Sequence, residues 1–186
     1  MIDGRGVPGL KGRDGRAGTT IASPCTDGGA GMMGTEGTNG GSGINLSIYL
    51  SDISVQGSVT IDVSGGDAGD GARGGDGGGG GPGTRLCKGG NGGQGGAGTR
   101  GGDGGKAGTV AFIAPRIPEL RNMLGEKVIV RTYGGDAGLG GESGSRGLPG
   151  LSALGDNKMD GRLGRKGTKG KKGIAGKPGT INFQDK

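Results

Sequence analysis

The sequence predicts a mostly non-α, non-β fold: a bundle of about six short polyproline-II or polyglycine-II helices with small β-strand caps and connectors. Three observations predict it. Glycine supplies 56 of the 186 residues, near the one-third level of collagen-like chains. It recurs every third residue in six separate stretches, and the frame resets between them. The large apolar residues are concentrated in the pieces between these stretches.

The six tracts span 4–18, 28–43, 65–83, 89–108, 134–150 and 161–179, within one unit covering 1–186. Tract 1 holds Gly6, Gly9, Gly12, Gly15 and Gly18, and tract 6 holds Gly161 through Gly179 at the same period. A polyproline-II helix has three residues per turn, so glycine at every third position leaves one bare stripe along which another backbone can approach. Short tracts, frame resets and only seven prolines argue against a long intermolecular triple helix and for one chain folding back on itself. Tracts 2, 3 and 4 carry many double glycines, such as Gly74-Gly75 and Gly92-Gly93. Two bare stripes admit neighbours on two sides, so these tracts are expected inside. Tracts 1 and 6 carry bulky or charged residues, among them Arg13, Arg165 and Lys172, and are expected outside. Tract 5 is intermediate.

The connectors 19–23, 44–63, 109–114, 127–133 and 180–183 read as β. Ile44–Leu50 and Val59–Val63 alternate apolar and polar residues and flank Gly57-Ser58, so the pair reads as a hairpin. The stretch 117–124, with Pro118 near its start, reads as a helical turn. The apolar cap is expected to gather Ile44, Leu46, Ile48, Leu50, Val59, Ile61, Val63, Phe112, Val128 and Val130. Such a cap either stops the tracts from fraying or offers edges on which another subunit docks.

The residues for chemistry are sparse. There is no histidine, which removes the commonest general base and metal ligand. No catalytic, cofactor-binding or metal-ligating residue is assigned, no cofactor is expected, and an enzyme is not expected. Cys25 and Cys87 are too few for a zinc site; they form one disulfide or stand as two thiols. Partial matches to a calcium nonapeptide at Gly66–Gly71 and Gly75–Gly77 read as solvated acids. No apolar run approaches a membrane span. The first residues do not read as a secretory signal, so the chain is not exported by that route or is a mature form.

Net charge is +6. From Lys158 to Lys177 eight Lys/Arg face one Asp. The assembly or polyanion contact candidates are Arg162, Arg165, Lys166, Lys169, Lys171, Lys172 and Lys177. Three readings compete for them: a solvated face, pairing with acidic positions such as Asp67, Asp70, Asp76, Asp136 or Glu142 of another subunit, and binding of an anionic surface polymer. Only four aromatic residues are present, which argues against nucleic acid because no stacking platform exists.

The tracts 6–18, 135–150 and 161–179, with Gly147-Leu148-Pro149-Gly150 and Gly176-Lys177-Pro178-Gly179, resemble collagen-like proteins. The Gly-Gly-X tracts resemble polyglycine-II bundle proteins, the springtail antifreeze proteins and the adhesins of phage tail-fibre tips. The antifreeze resemblance implies a flat face of small residues, whereas Met32, Met33, Leu139 and many Lys and Arg occupy the outer positions here. The adhesin resemblance implies variable tip loops, whereas the connectors here are regular. The expected function is therefore a structural, self-assembling subunit of a fibre, appendage or coat, a homo-oligomer or homopolymer without small-molecule substrate, at an extracellular fibre or virion surface. The alternatives are a phage or cell-surface adhesin and an ice-binding protein.

Overall fold

The computed structural model describes residues 1–51, 55–153, 155 and 157–185. Its strands are β1 (Ile2–Asp3), β2 (Leu46–Tyr49), β3 (Val59–Asp62), β4 (Val110–Ala114), β5 (Val128–Arg131) and β6 (Ile181–Asp185), with one α-helix, α1 (Ile117–Met123). They form two three-stranded parallel sheets, ordered β1-β3-β5 and β2-β4-β6. β4 shows why these segments become strands: its alternate residues Val110, Phe112 and Ala114 are buried, the period-two pattern of a strand with one face on a core. Pro118 sits in the first turn of α1, and Ile117 and Leu120 are its buried residues. Ile61, Val63, Val110, Phe112, Leu120 and Val128 form one core shared by both sheets and the helix. Each such side chain contributes about 1.5–3 kcal/mol on burial. The Phe112 and Phe183 rings stack at 5.8 Å, and the Arg121 guanidinium lies 4.8 Å above Phe183.

This corrects the expected fold class. The regular structure of the described chain is two parallel sheets and a helix, not a polyproline-II bundle with minor β connectors. The apolar residues outside the tracts suffice to build a two-sheet core. The expected hairpin is also absent: β2 and β3 lie in different sheets, and part of their connector, 52–54, falls outside the described residues. Residues 19–23 form no strand; Ile21 instead continues the bonding of tract 1 to tract 3 through the Gly79 carbonyl. Of the apolar cap candidates, Ile44 stays half exposed, while Leu46, Ile48, Leu50, Val59 and Val130 pack around the core. Val110 and Leu120 are core residues that the cap assignment omits.

Each strand is continuous with a tract. β1, β3 and β5 lead into tracts 1, 3 and 5, and tracts 2, 4 and 6 lead into β2, β4 and β6. Parallel sheets therefore leave tracts 1, 3 and 5 running away from the cap and tracts 2, 4 and 6 running back. Within the first layer, Gly9 N–H donates to Asp67 C=O at 2.7 Å and Gly71 N–H to Leu139 C=O at 2.8 Å, a pattern repeated every three residues. The second layer does the same from tract 2 to 4 and from 4 to 6. Between layers, Gly41 donates to Val7, Gly66 to Gly41, Gly105 to Gly66, Gly135 to Gly105 and Gly176 to Gly135. Tracts 3 and 4 each bond to four others; tracts 1 and 6 bond to two.

Contact at this range leaves no room for a side chain. A Cβ on Gly78 would fall onto the Thr19 carbonyl, and on Gly79, the next residue, would find nothing nearer than the Thr20 methyl at 3.3 Å. Gly78→Ala is therefore expected to lower the melting temperature sharply, and Gly79→Ala to leave it within a few degrees. Equal melting curves for the two variants would contradict the lattice.

One lattice step is relayed through a side chain. Gly69 and Gly75 of tract 3 donate directly to Thr38 and Met32 of tract 2. At the step between them, buried Ala72 N–H donates instead to the Thr99 hydroxyl at 2.8 Å, and that hydroxyl donates to the Thr35 carbonyl at 2.8 Å. Thr99 is itself buried. Thr99→Val keeps the shape but strands both groups, at roughly 1–3 kcal/mol each. Chemical denaturation should show Thr99→Val less stable by about 2–6 kcal/mol and Thr99→Ser nearer the parent protein.

Candidate interaction faces

Because the tract interior admits few side chains, among them Ala72 and Thr99, most polar residues are set out in straight rows on the two broad faces. The first-layer face carries the tract 3 row Asp67, Asp70, Arg73 and Asp76 and the tract 5 row Asp136, Leu139, Glu142 and Ser145. These are the residues whose carbonyls accept the in-layer N–H bonds, from glycine or, at Asp136, from Ala68. The second-layer face carries, by the same criterion, the tract 4 row with Arg100, Asp103 and Lys106, and the tract 6 row with Arg162, Arg165, Lys171 and Lys177. The acids of tracts 3 and 5 and the cations of tract 6 thus lie on opposite faces. The remaining basic candidates, Lys166, Lys169 and Lys172, follow the free edge of tract 6, where Lys169 bonds Glu142 at 2.6 Å.

Several acids have a second task. Asp67, Asp70 and Asp76 each accept, through Oδ1, the backbone N–H of Asp136, Leu139 and Ser145, at 2.6–2.8 Å. Asp14 accepts from Arg73 N–H, Asp27 and Asn39 from Asn91 and Asp103, and Asn91 and Asp103 in turn from Arg162 and Ile174. Short Asp and Asn side chains thereby cap outward N–H groups of the adjoining tract. In the sequence alone these acids read as solvated or as partner contacts. Their signal is a constant sequence offset between partners, 69 from tract 3 to 5 and 64 from tract 2 to 4, which is visible only once the tracts are paired.

The electrostatics follow. The Ser145 backbone N–H holds the Asp76 carboxyl below its ordinary value of 3.8, with Arg73 adding to it. The Ile174 N–H, with Arg100, does the same for Asp103, and the Asn91 N–H for Asp27. The hydrogen bond from Lys169 lowers Glu142.

At the end away from the cap, Cys25 and Cys87 are disulfide-bonded across a separation of 62 residues. In the chain-entropy account a loop of that length corresponds to roughly 4 kcal/mol. A groove lies where tracts 1, 3 and 5 leave the cap, lined by Arg5, Pro8, Ser64, Asp67, Tyr133 and Asp136. Among the described residues no group of three or more His, Cys, Asp or Glu is placed to hold a metal ion, and no helix is long and apolar enough to cross a membrane.

No protein-family model and no curated relative matches the chain. Among solved structures it is similar to the nine polyproline type II helical bundle springtail antifreeze protein from Granisotoma rainieri, at 25% identity over 82% of this chain and 98% of that one, with a TM-score of 0.14. At that TM-score the likeness carries no argument about shape or activity. The wider resemblance to glycine-rich collagen-like proteins rests on composition and period alone.

The lowered carboxyls set a pH dependence. A depressed folded value means the stabilisation is fully present above the unfolded value and is lost as pH falls through the folded one. For Asp27, Asp76 and Asp103 that window lies below the ordinary value of 3.8. Melting temperature should fall as pH drops through it. The triple variant Asp27→Asn, Asp76→Asn, Asp103→Asn keeps an acceptor oxygen at each site and should melt with a flatter acid limb. An unchanged acid limb would remove the Asp caps from the stability of the fold.

Proposed function

We propose that the protein is a non-catalytic structural subunit that assembles with copies of itself into a fibre, appendage or coat. The observation that carries this reading is the sorting of charge onto opposite faces of a flat, glycine-packed slab. Acids gather on tracts 3 and 5, cations on tract 6, and backbone bonds hold both faces in fixed positions. The backbone beneath these rows is already ordered, so meeting a partner costs side-chain freedom but no backbone freedom. The Cys25–Cys87 disulfide supports an oxidising, extracellular setting. Neither face offers the flat run of small residues that ice binding requires, because Arg, Lys, Asp and Glu stand along every layer.

Assembly driven by such faces responds to salt, since the screening length shrinks from roughly 10 Å at 0.1 M to 3 Å at 1 M. Sedimentation velocity and negative-stain microscopy at low ionic strength should show regular polymers, and 1 M salt should shift the protein toward single subunits. A monodisperse single subunit at every salt and protein concentration would overturn the reading.

A further inference from the structure

The rows on the two edge tracts match each other in chemistry as well as in charge. Spatial order is needed to see it, because tract 5 runs away from the cap and tract 6 runs toward it. Moving away from the cap, the outward row of tract 5 reads Asp136, Leu139, Glu142, Ser145. The outward row of tract 6, on the opposite face, reads Lys177, Ile174, Lys171, Thr168 over the same stretch. The sequence is acid, apolar, acid, hydroxyl on one face and base, apolar, base, hydroxyl on the other. Both rows have the same three-residue spacing, so matching one position matches all four.

Their heights agree as well. Gly135, Gly138, Gly141 and Gly144 accept the N–H groups of Gly176, Gly173, Gly170 and Gly167. The two rows therefore occupy one segment of the slab to within about two residues, roughly 6 Å at an extended rise, a distance that a lysine side chain spans. The apolar members are exposed where an isolated subunit gains nothing from it: Leu139 is 58% and Ile174 68% accessible. The neighbouring pair of rows lacks this match. Asp67, Asp70 and Arg73 on tract 3 face away opposite Lys106, Asp103 and Arg100 on tract 4, which puts like charges at the second and third positions. Of these two pairs of rows, that of tracts 5 and 6 is the one matched at all four positions.

We infer that the subunit stacks on a second copy of itself by seating the tract 5 row of one copy on the tract 6 row of the next. Asp136 then pairs with Lys177 around a Leu139–Ile174 apolar contact, and Glu142, which already bonds Lys169 of its own subunit at 2.6 Å, takes Lys171 as a second cation. The two rows lie on opposite faces, so the contact is head-to-tail and each copy offers a free row to the next; such an interface propagates as an open stack. A linear polyanion is the rival occupant of the tract 6 row, but the matched apolar and hydroxyl positions give it nothing to meet.

This inference rests on the structural-subunit reading, and the test separates the two. The acid-row variant Asp136→Lys/Glu142→Lys presents cations on both faces. The base-row variant Lys171→Glu/Lys177→Glu presents acids on both. All four positions are exposed, so melting curves serve as the check that each variant is folded. Sedimentation of the full chain at low salt should show polymers for the parent protein, at least a tenfold loss of polymer for each variant alone, and recovery when the two variants are mixed in equal amounts. Parent-like polymers from both separate variants would overturn the stacking contact and leave self-assembly to another surface. Failure of the mixture to recover would also overturn it. A parent protein that stays single but binds a sulfated polysaccharide through the tract 6 row would overturn both readings.

Discussion

Everything in this molecule depends on how closely its backbones approach. An N–H of one tract reaches a C=O of another only where no side chain stands between them, and a Cβ on Gly105, Gly135 or Gly176 would land on a neighbouring carbonyl. Glycine loses the most conformational freedom on folding, and each backbone bond returns only about 0.5–1.5 kcal/mol net. The tracts are therefore tied at both ends. The two-sheet core around Phe112 and Leu120 fixes one end, and the Cys25–Cys87 disulfide fixes the other. Between these anchors the lattice gains cooperativity, because one register satisfies all tracts together.

That constraint also decides how far the sequence can be read. The glycine period marks each tract, and double glycines mark tracts 2, 3 and 4, of which tracts 3 and 4 bond on four sides and tract 2 on three. Strand alternation locates β2 to β6 within a few residues. Pairing is less visible. Ile44–Leu50 and Val59–Val63 look like a hairpin because they adjoin in sequence, yet strands of one sheet must leave tracts that run the same way. β3 therefore pairs with β1 and β5, dozens of residues distant. Thr99 carries no local sign of its bond to Ala72, and Leu120 reads as part of a turn until the helix is seen to close the core.

Side chains expelled from the interior have only the faces to occupy, and those faces must also finish the backbone bonding. Outward N–H groups on the middle and edge tracts are met by Asp67, Asp70, Asp76, Asp27 and Asn39. An Asp in such a row satisfies an amide with one oxygen and keeps its negative charge toward solvent. Asn does the first without the second. The choice between them sets the charge of a face while the capping bond is kept, which lets a single architecture carry acids on tracts 3 and 5 and cations on tract 6.

A slab of this kind differs from an ordinary globular surface in one further respect. Its rows repeat at the spacing of the tracts that bear them, and all six tracts share one spacing because they share one hydrogen-bond lattice. Any two faces of such slabs are thus commensurate before a single contact is chosen. Charge order then determines which rows can meet. With Asp136, Leu139, Glu142 and Ser145 on one side and Lys177, Ile174, Lys171 and Thr168 on the other, the same bonds that fold the chain also place the features by which one copy can address the next.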